Sequence, residues 1–249
     1  MNRTLPETRP LLISFSGIDG AGKSTQIALL REVLQSSAQQ VQLVTFWDDI
    51  VALKSFREDL GHKVFKGDKG VGSPEAPIHR RDKNVQSPLL TCMRMALYAL
   101  DLLSLRRTVK KLLRANPRAQ DRAVIFDRFL YDELANLQVD RPLHRLYVRA
   151  ILRFIPKPDL AFVLDADPDT AFARKPEYPL EFLRSNRMEY LRLAAIAGMA
   201  VIPPSSADLA HREICRQVEE KKHALLSKGK TGHELRDERL FSGPVSTST

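Results

Sequence analysis

Six apolar or small residues, Leu11-Leu12-Ile13-Ser14-Phe15-Ser16, run straight into Gly17-Ile18-Asp19-Gly20-Ala21-Gly22-Lys23-Ser24. This junction constrains the chain more than any other feature. The apolar run is short, is bounded by Pro10 and Gly17, and reads as a buried strand. Gly17 to Gly22 leaves room only for a tight loop. From Ser24 to Gln35, the residues Ile27, Leu30, Val33 and Leu34 predict a helix with one apolar face. In a strand–loop–helix of this kind the loop N–H groups and the positive end of the helix point at one spot, where an anion binds. The glycines let the backbone approach phosphate oxygens closely. Lys23 can reach the β- and γ-phosphates of a nucleotide, and the Ser24 hydroxyl can sit on magnesium. The spacing G-x-x-x-x-G-K-[ST] therefore marks Gly17, Gly20, Ala21, Gly22, Lys23, Ser24 and Thr25 as the nucleotide-binding set.

The rest of the chain repeats the alternation. Val41–Trp47 is β-rich and reads as a second strand, Ala123–Phe126 as a third, Leu160–Asp165 as a fourth and Ala200–Ile202 as a short fifth. Helical patterns cover Pro88–Leu113, about Asp132–Ile155, Pro168–Arg174, Leu180–Ala197 and Asp208–Leu226. Strands alternating with helices imply an α/β fold with a mainly parallel sheet covered on both faces. Residues 1–10 read as a flexible arm, 11–227 as a single domain, and 228–249 as a polar tail expected to be disordered. Within the domain, 61–87 is a long basic loop rich in glycine and proline.

Composition narrows the classes. With 249 residues and 43% apolar content, the chain can bury a sizeable core in one large domain. The first residues lack the apolar stretch of a signal peptide, and no uninterrupted apolar run suggests a membrane span. Two cysteines, Cys92 and Cys215, exclude a disulfide framework or a cysteine zinc set. A reduced, cytoplasmic setting is the expectation. The net charge is +9, and it is local: residues 54–122 hold 16 basic and 7 acidic side chains, whereas the remainder holds 23 of each. An anionic small-molecule partner fits this pattern. A nucleic-acid partner is not expected, because no basic motif with interleaved aromatics occurs.

Asp127-Arg128-Phe129 follows the third strand, and the carboxyl end of a parallel strand faces the ligand side of the sheet. A carboxylate there can organise magnesium, and an arginine can clamp a phosphate through two hydrogen bonds. The two guanine-nucleotide hydrolase cues, Asn-Lys-x-Asp and a strand followed by Asp-x-x-Gly, do not occur.

Together these segments resemble the thymidylate kinase family of P-loop nucleoside monophosphate kinases. Ile13 to Gln26 is similar to the family's opening stretch, and Phe126-Asp127-Arg128-Phe129 to its Asp-Arg-Tyr/His segment. Lys157 to Asp165 resembles its Lys-Pro-Asp-Leu strand. Glu181-Phe182-Leu183, Arg187 and Tyr190-Leu191 resemble the helix after its lid. The resemblance implies a three-layer P-loop nucleotide kinase, often a homodimer, that uses ATP and Mg2+ to phosphorylate a nucleoside monophosphate, foremost dTMP to dTDP. It assigns Lys23, Asp127, Arg128 and Arg174 to catalysis. Ser24 and Asp127 go to magnesium, and Asp19 and Arg128 to the acceptor. The family's lid maps to about 174–180. Gly20 stands where some members carry a loop arginine, so Arg174, with Lys175 second, would supply the charge.

The acceptor side departs from the family. Phe46-Trp47-Asp48-Asp49 stands where the family has an arginine that holds the acceptor phosphate, and Asp101-Leu102 where an Asp/Asn-Arg pair reads thymine. Trp47, Asp48 and Asp49 become acceptor candidates by position, and Arg94 or Arg106 a replacement cation. The divergence leaves open a nucleoside or other small hydroxyl compound as the acceptor, with Asp48 or Asp49 as base. A nucleotide-binding protein associated with nucleic acid ranks last.

Overall fold

The computed structural model describes residues 9–54, 57, 87–114 and 122–241. Residues 1–8, nearly all of the basic loop 61–87, and 242–249 lie outside the described residues. Five strands, β1 (Leu11–Ser16), β2 (Gln40–Thr45), β3 (Arg122–Asp127), β4 (Leu160–Leu164) and β5 (Ala200–Ile202), form one sheet in the order β2-β3-β1-β4-β5, parallel throughout. The helices are α1 (Lys23–Ser36), α2 (Pro88–Arg114), α3 (Leu130–Leu134), α4 (Pro142–Phe154), α5 (Pro168–Arg174), α6 (Leu180–Ala197) and α7 (Ala207–Phe241).

The strands alternate as a sheet buried on both faces requires. Ile13 and Phe15 of β1, Ile125 of β3 and Phe162 of β4 point to one side, where they meet Ile27, Leu30 and Leu34 of α1 and Ile214 and Val218 of α7. Leu12, Val124, Phe126 and Val163 point to the other, against α2, α3, α4 and α6. The three-layer α/β architecture is therefore present. The central β1 is fully buried and pairs with β3 on one side and β4 on the other, so the loop that leaves it opens at the middle of the sheet.

Several local expectations are corrected. The second strand stops at Thr45, and Phe46–Ile50 forms a π-helical turn, closed where Asp49 accepts the Thr45 N–H at 2.7 Å. Phe46 and Ile50 go into the core, which a continuing strand through Trp47 would not allow. Val33 lies outside the buried face of α1, and Gln26 takes a place on it. The helical segments expected over about 132–155 are two helices, the second begun by Pro142, which lacks an N–H and sits at its first position. The arm is anchored at its end: Arg9 forms a two-pronged ion pair with Asp159 at 2.8 and 2.6 Å, and Pro10 is buried. Helix α7 runs to Phe241, past the Leu226 end that the apolar pattern suggests.

Helix α2 is, by length and composition alone, apolar enough to cross a membrane. One stripe of α2, including Leu102, Leu105, Val109 and Leu112, packs into the core.

The Phe15 and Phe162 rings touch at 5.3 Å between centroids with neither side chain exposed. Phe15→Ala should destabilise the fold by about 3–5 kcal/mol, read from urea unfolding monitored by circular dichroism.

Candidate active site

The parallel pairing of β1 and β3 sets Phe15 opposite Asp127. The glycine loop thus leaves one strand end and Asp127-Arg128 leaves the next. A cleft of about 510 Å³ opens there, lined by Asp19 to Thr25, Asp127, Arg128, Arg174 and Lys175. Of the residues expected from the sequence, Asp19, Gly20, Ala21, Gly22, Lys23, Ser24, Thr25, Asp127, Arg128 and Arg174 converge on this one cavity. Gly17 begins the loop immediately before it.

The loop geometry follows from its glycines. Gly20 has φ of +84°, and a Cβ placed on it would lie 2.3 Å from the Ala171 carbonyl oxygen of α5. Glycine is thus required both by the backbone and by the close seat of α5 on the loop. That contact carries the end of α5, and with it Arg174, to the rim of the cleft. The Lys23 ammonium lies inside the loop and donates to the carbonyls of Gly17 (2.7 Å) and Ile18 (2.8 Å). Ser24 and Thr25 are exposed on the first turn of α1, which starts with no acidic side chain. The helix end therefore presents N–H groups without a competing negative charge.

Arg128 is held unusually. Its φ is +66°, a left-handed conformation that costs a residue with a Cβ about 1–2 kcal/mol. Its N–H donates to the Phe15 carbonyl at 3.2 Å, and its guanidinium pairs with Asp19. A second carboxylate, Asp132, lies 3.9 Å from the guanidinium. Burial opposes the charge of Arg128, but Asp19 and Asp132 outweigh it and raise the pKa above the ordinary arginine value. Arg128 therefore stays cationic at the cleft wall throughout the physiological range.

Asp132 escaped the sequence reading. It accepts hydrogen bonds from Ser16 Oγ at 2.7 Å, the Phe129 N–H at 2.9 Å and the Tyr190 hydroxyl at 2.9 Å. Burial, and then the Asp132 charge, raise the Tyr190 pKa well above the usual phenol value. The available signal was its place three residues after Phe129, where an acidic side chain reaches back to the first N–H of a helix.

The acceptor candidates fare differently. Trp47, Asp48, Asp49 and Arg94 are absent from the lining of this cleft. Asp49 closes the turn after β2, and exposed Asp48 pairs with Lys54 at 2.5 Å. Half-buried Arg94 on α2 lies one turn from Tyr98 and acts electrostatically on its hydroxyl. Arg106 donates to the Phe154 carbonyl at 3.3 Å. Asp101, fully buried, accepts the Ala52 N–H at 2.8 Å and pairs with Arg57 at 2.7 Å. Burial raises its pKa, opposed by that N–H and by Arg57.

The lid segment is packed. Pro176, Glu177 and Tyr178 are buried, Lys175 pairs with Glu177 at 3.2 Å, and the Tyr178 and Phe182 rings lie 5.1 Å apart. Magnesium takes oxygen ligands and is commonly held by one or two protein oxygens together with substrate phosphates. The Ser24 hydroxyl and the Asp127 carboxylate, on the same cleft, form a donor set of that kind.

No family model matches the chain. It is 30% identical over 210 residues to a probable thymidylate kinase of Pyrobaculum aerophilum, covering 78% of this chain and 88% of that one. It is 29% identical over 187 residues to a probable thymidylate kinase of Methanosphaera stadtmanae, covering 74% and 83%. The fold resembles the thymidylate kinase of Candida albicans, with a TM-score of 0.55, 17% identity and 86% and 94% of the two chains covered. It also resembles that of Ehrlichia chaffeensis, at 0.53, 20%, 85% and 99%.

Gly20→Ala adds a strained φ and a collision with α5. It should lower stability by about 1–3 kcal/mol and weaken ATP binding, read by thermal denaturation and titration calorimetry.

Proposed function

The chain belongs to the thymidylate kinase family, and on that premise we propose that it transfers the γ-phosphoryl group of ATP to dTMP, giving ADP and dTDP. The observation that supports this reading is the convergence of Lys23, Arg128 and Arg174 on one cleft whose floor is the glycine loop. In the reaction an oxygen of the acceptor phosphate bonds to the γ-phosphorus as the bond to the β–γ bridging oxygen breaks, and ADP leaves with that electron pair. The reacting groups are all anionic, so the protein's task is alignment and charge neutralisation.

The loop N–H groups and Lys23 hold the β- and γ-phosphates, with the ammonium exchanging its loop carbonyls for phosphate oxygens. Arg128, fixed by Asp19, faces the acceptor phosphate from the end of β3. Asp19 offers its remaining oxygen capacity to the acceptor's sugar side. Arg174, at the end of α5, neutralises charge on the transferring group. Ser24 and Asp127 would hold magnesium together with the ATP phosphates, and the ion would supply further charge neutralisation. The alternative acceptor, a nucleoside or another small hydroxyl compound, gains no support from Asp48 and Asp49, which are engaged with Lys54 and Thr45. A cytoplasmic location, where such substrates are found, goes with the reading.

A coupled ADP-release assay over the nucleoside monophosphates, with nucleosides as a second panel, tests the proposal. Turnover is expected on dTMP, and turnover on nucleosides alone would overturn it. Lys23→Ala should lower kcat/KM by at least about a thousandfold while the circular dichroism spectrum stays unchanged.

The same reading includes a homodimer. Its support is the apolar surface left by two helices: Leu100 and Leu103 of α2 are 41% and 50% exposed, and Leu143 and Leu146 of α4 are 69% and 67% exposed. These helices touch where the Tyr147 hydroxyl donates to the Met95 carbonyl at 2.6 Å. Light scattering after size exclusion should give twice the mass of one chain, and Leu103→Glu should shift it to the monomer.

A further inference from the structure

The cluster around Asp132 lies under the cleft, and neither the carboxylate nor its partners are needed to touch a phosphate. Asp132 is 4% exposed, Ser16 is fully buried, and Tyr190 is 4% exposed. The carboxylate gathers a donor from each of three places. Ser16 Oγ comes from the last residue of β1, just before the phosphate loop, at 2.7 Å. The Phe129 N–H comes from the turn after β3, at 2.9 Å. The Tyr190 hydroxyl comes from α6, the helix after the lid segment, at 2.9 Å. Arg128 lies between them, with its guanidinium 3.9 Å from Asp132 and its other side on Asp19.

A buried carboxylate needs donors, and three neutral ones with a nearby cation satisfy it. The arrangement also solves a problem for Arg128. A left-handed non-glycine residue persists only where its surroundings over-determine it. The Phe129 N–H bond to Asp132 fixes the peptide immediately after Arg128, and the Arg128 N–H bond to Phe15 fixes the one before it. Without Asp132 the backbone can relax to the ordinary side of the Ramachandran map, and the guanidinium leaves the line set by Asp19.

We propose that Asp132 is the positioning residue for Arg128, acting through the turn after β3 and through the field on its guanidinium, and that Tyr190 ties this turn to the helix behind the lid. Asp132 does not touch substrate; it sets where the arginine meets the acceptor phosphate. This inference rests on the phosphoryl-transfer reading above for the identity of the ligand, though not for the geometry.

The test uses the full chain. Asp132→Asn keeps the shape and removes the charge. It should raise the acceptor KM by about tenfold, the scale of a hydrogen bond to a charged group, while the ATP KM moves little. A role in stability alone would lower the melting temperature and change both constants together, and that result would overturn the proposal. In an Arg128→Ala background, Asp132→Asn should cost nothing further; full additivity would also overturn it. If Asp132→Asn does not fold, Tyr190→Phe removes one oxygen from the same cluster and should raise the acceptor KM in the same direction. An unchanged value there counts against the proposal. A readout free of turnover separates this inference from the functional one. The Arg128 Nη–H resonances should be slow to exchange with solvent in the wild type and fast in Asp132→Asn, with the loop amides unmoved. A wild type that phosphorylates no acceptor sinks the kinase reading and leaves the resonance test in force. An Arg128 signal unchanged by the substitution sinks the positioning role.

Discussion

The pairing of β1 with β3 is the contact on which the site depends. Parallel neighbours bring their carboxyl ends to the same edge, and here the register sets Phe15 against Asp127. The glycine loop, Asp127 and Arg128 are attached to those two ends. The phosphate loop begins one residue after β1, and Arg128 follows β3 directly. Because both strands are buried on both faces by Ile13, Phe15, Val124, Ile125 and Phe126, a slip of the register would turn an apolar row against the wrong layer. The core thus fixes the spacing of the two strand ends from which the loop and Arg128 start.

Charge then refines what packing has placed. Arg128 sits between Asp19 on the loop and Asp132 on the following helix, so the cation bridges the two strand ends at which the ligand must bind. A guanidinium bracketed by carboxylates is immobilised without being neutralised, because its fork has more donors than either carboxylate occupies. The left-handed turn at Arg128 is the strain that this placement demands. It is borne by backbone bonds to Phe15 and Asp132.

What could be read in the sequence was what is local. The phosphate loop lies within eight consecutive residues, and its strand and helix are adjacent, so spacing alone assigned it. Asp127-Arg128 was legible because a short apolar run announced the strand end. Asp132 was not, because two of its partners, Ser16 and Tyr190, lie 116 and 58 residues away and no periodicity records them. Trp47, Asp48 and Asp49 are acceptor candidates by their position after the second strand. The chain instead buries Phe46 and Ile50 four residues apart, which needs a helical turn and sends the acidic pair outward. Arg57 was passed over for the same reason, since its partner Asp101 stands on another element. The alternation of strands and helices, by contrast, survived every local error, because the central strands β1, β3 and β4 are largely buried and read as apolar regardless of their exact ends.

The seat of α5 on the loop supports the proposal that Arg174 neutralises charge on the transferring phosphate. At Gly20 the Ala171 carbonyl occupies the space any side chain would need, so the loop cannot carry its own arginine without pushing α5 away. The helix that excludes that arginine ends in Arg174, followed by Lys175, at the rim of the same cleft. Burial of Pro176, Glu177 and Tyr178 immediately afterwards anchors the segment from its other end. The cations are therefore fixed between two packed points, at Ala171 and at Tyr178. A short connection held in this way loses little entropy when a nucleotide arrives, and the cost of ordering a cation over the phosphates is met largely when the chain folds rather than when it binds.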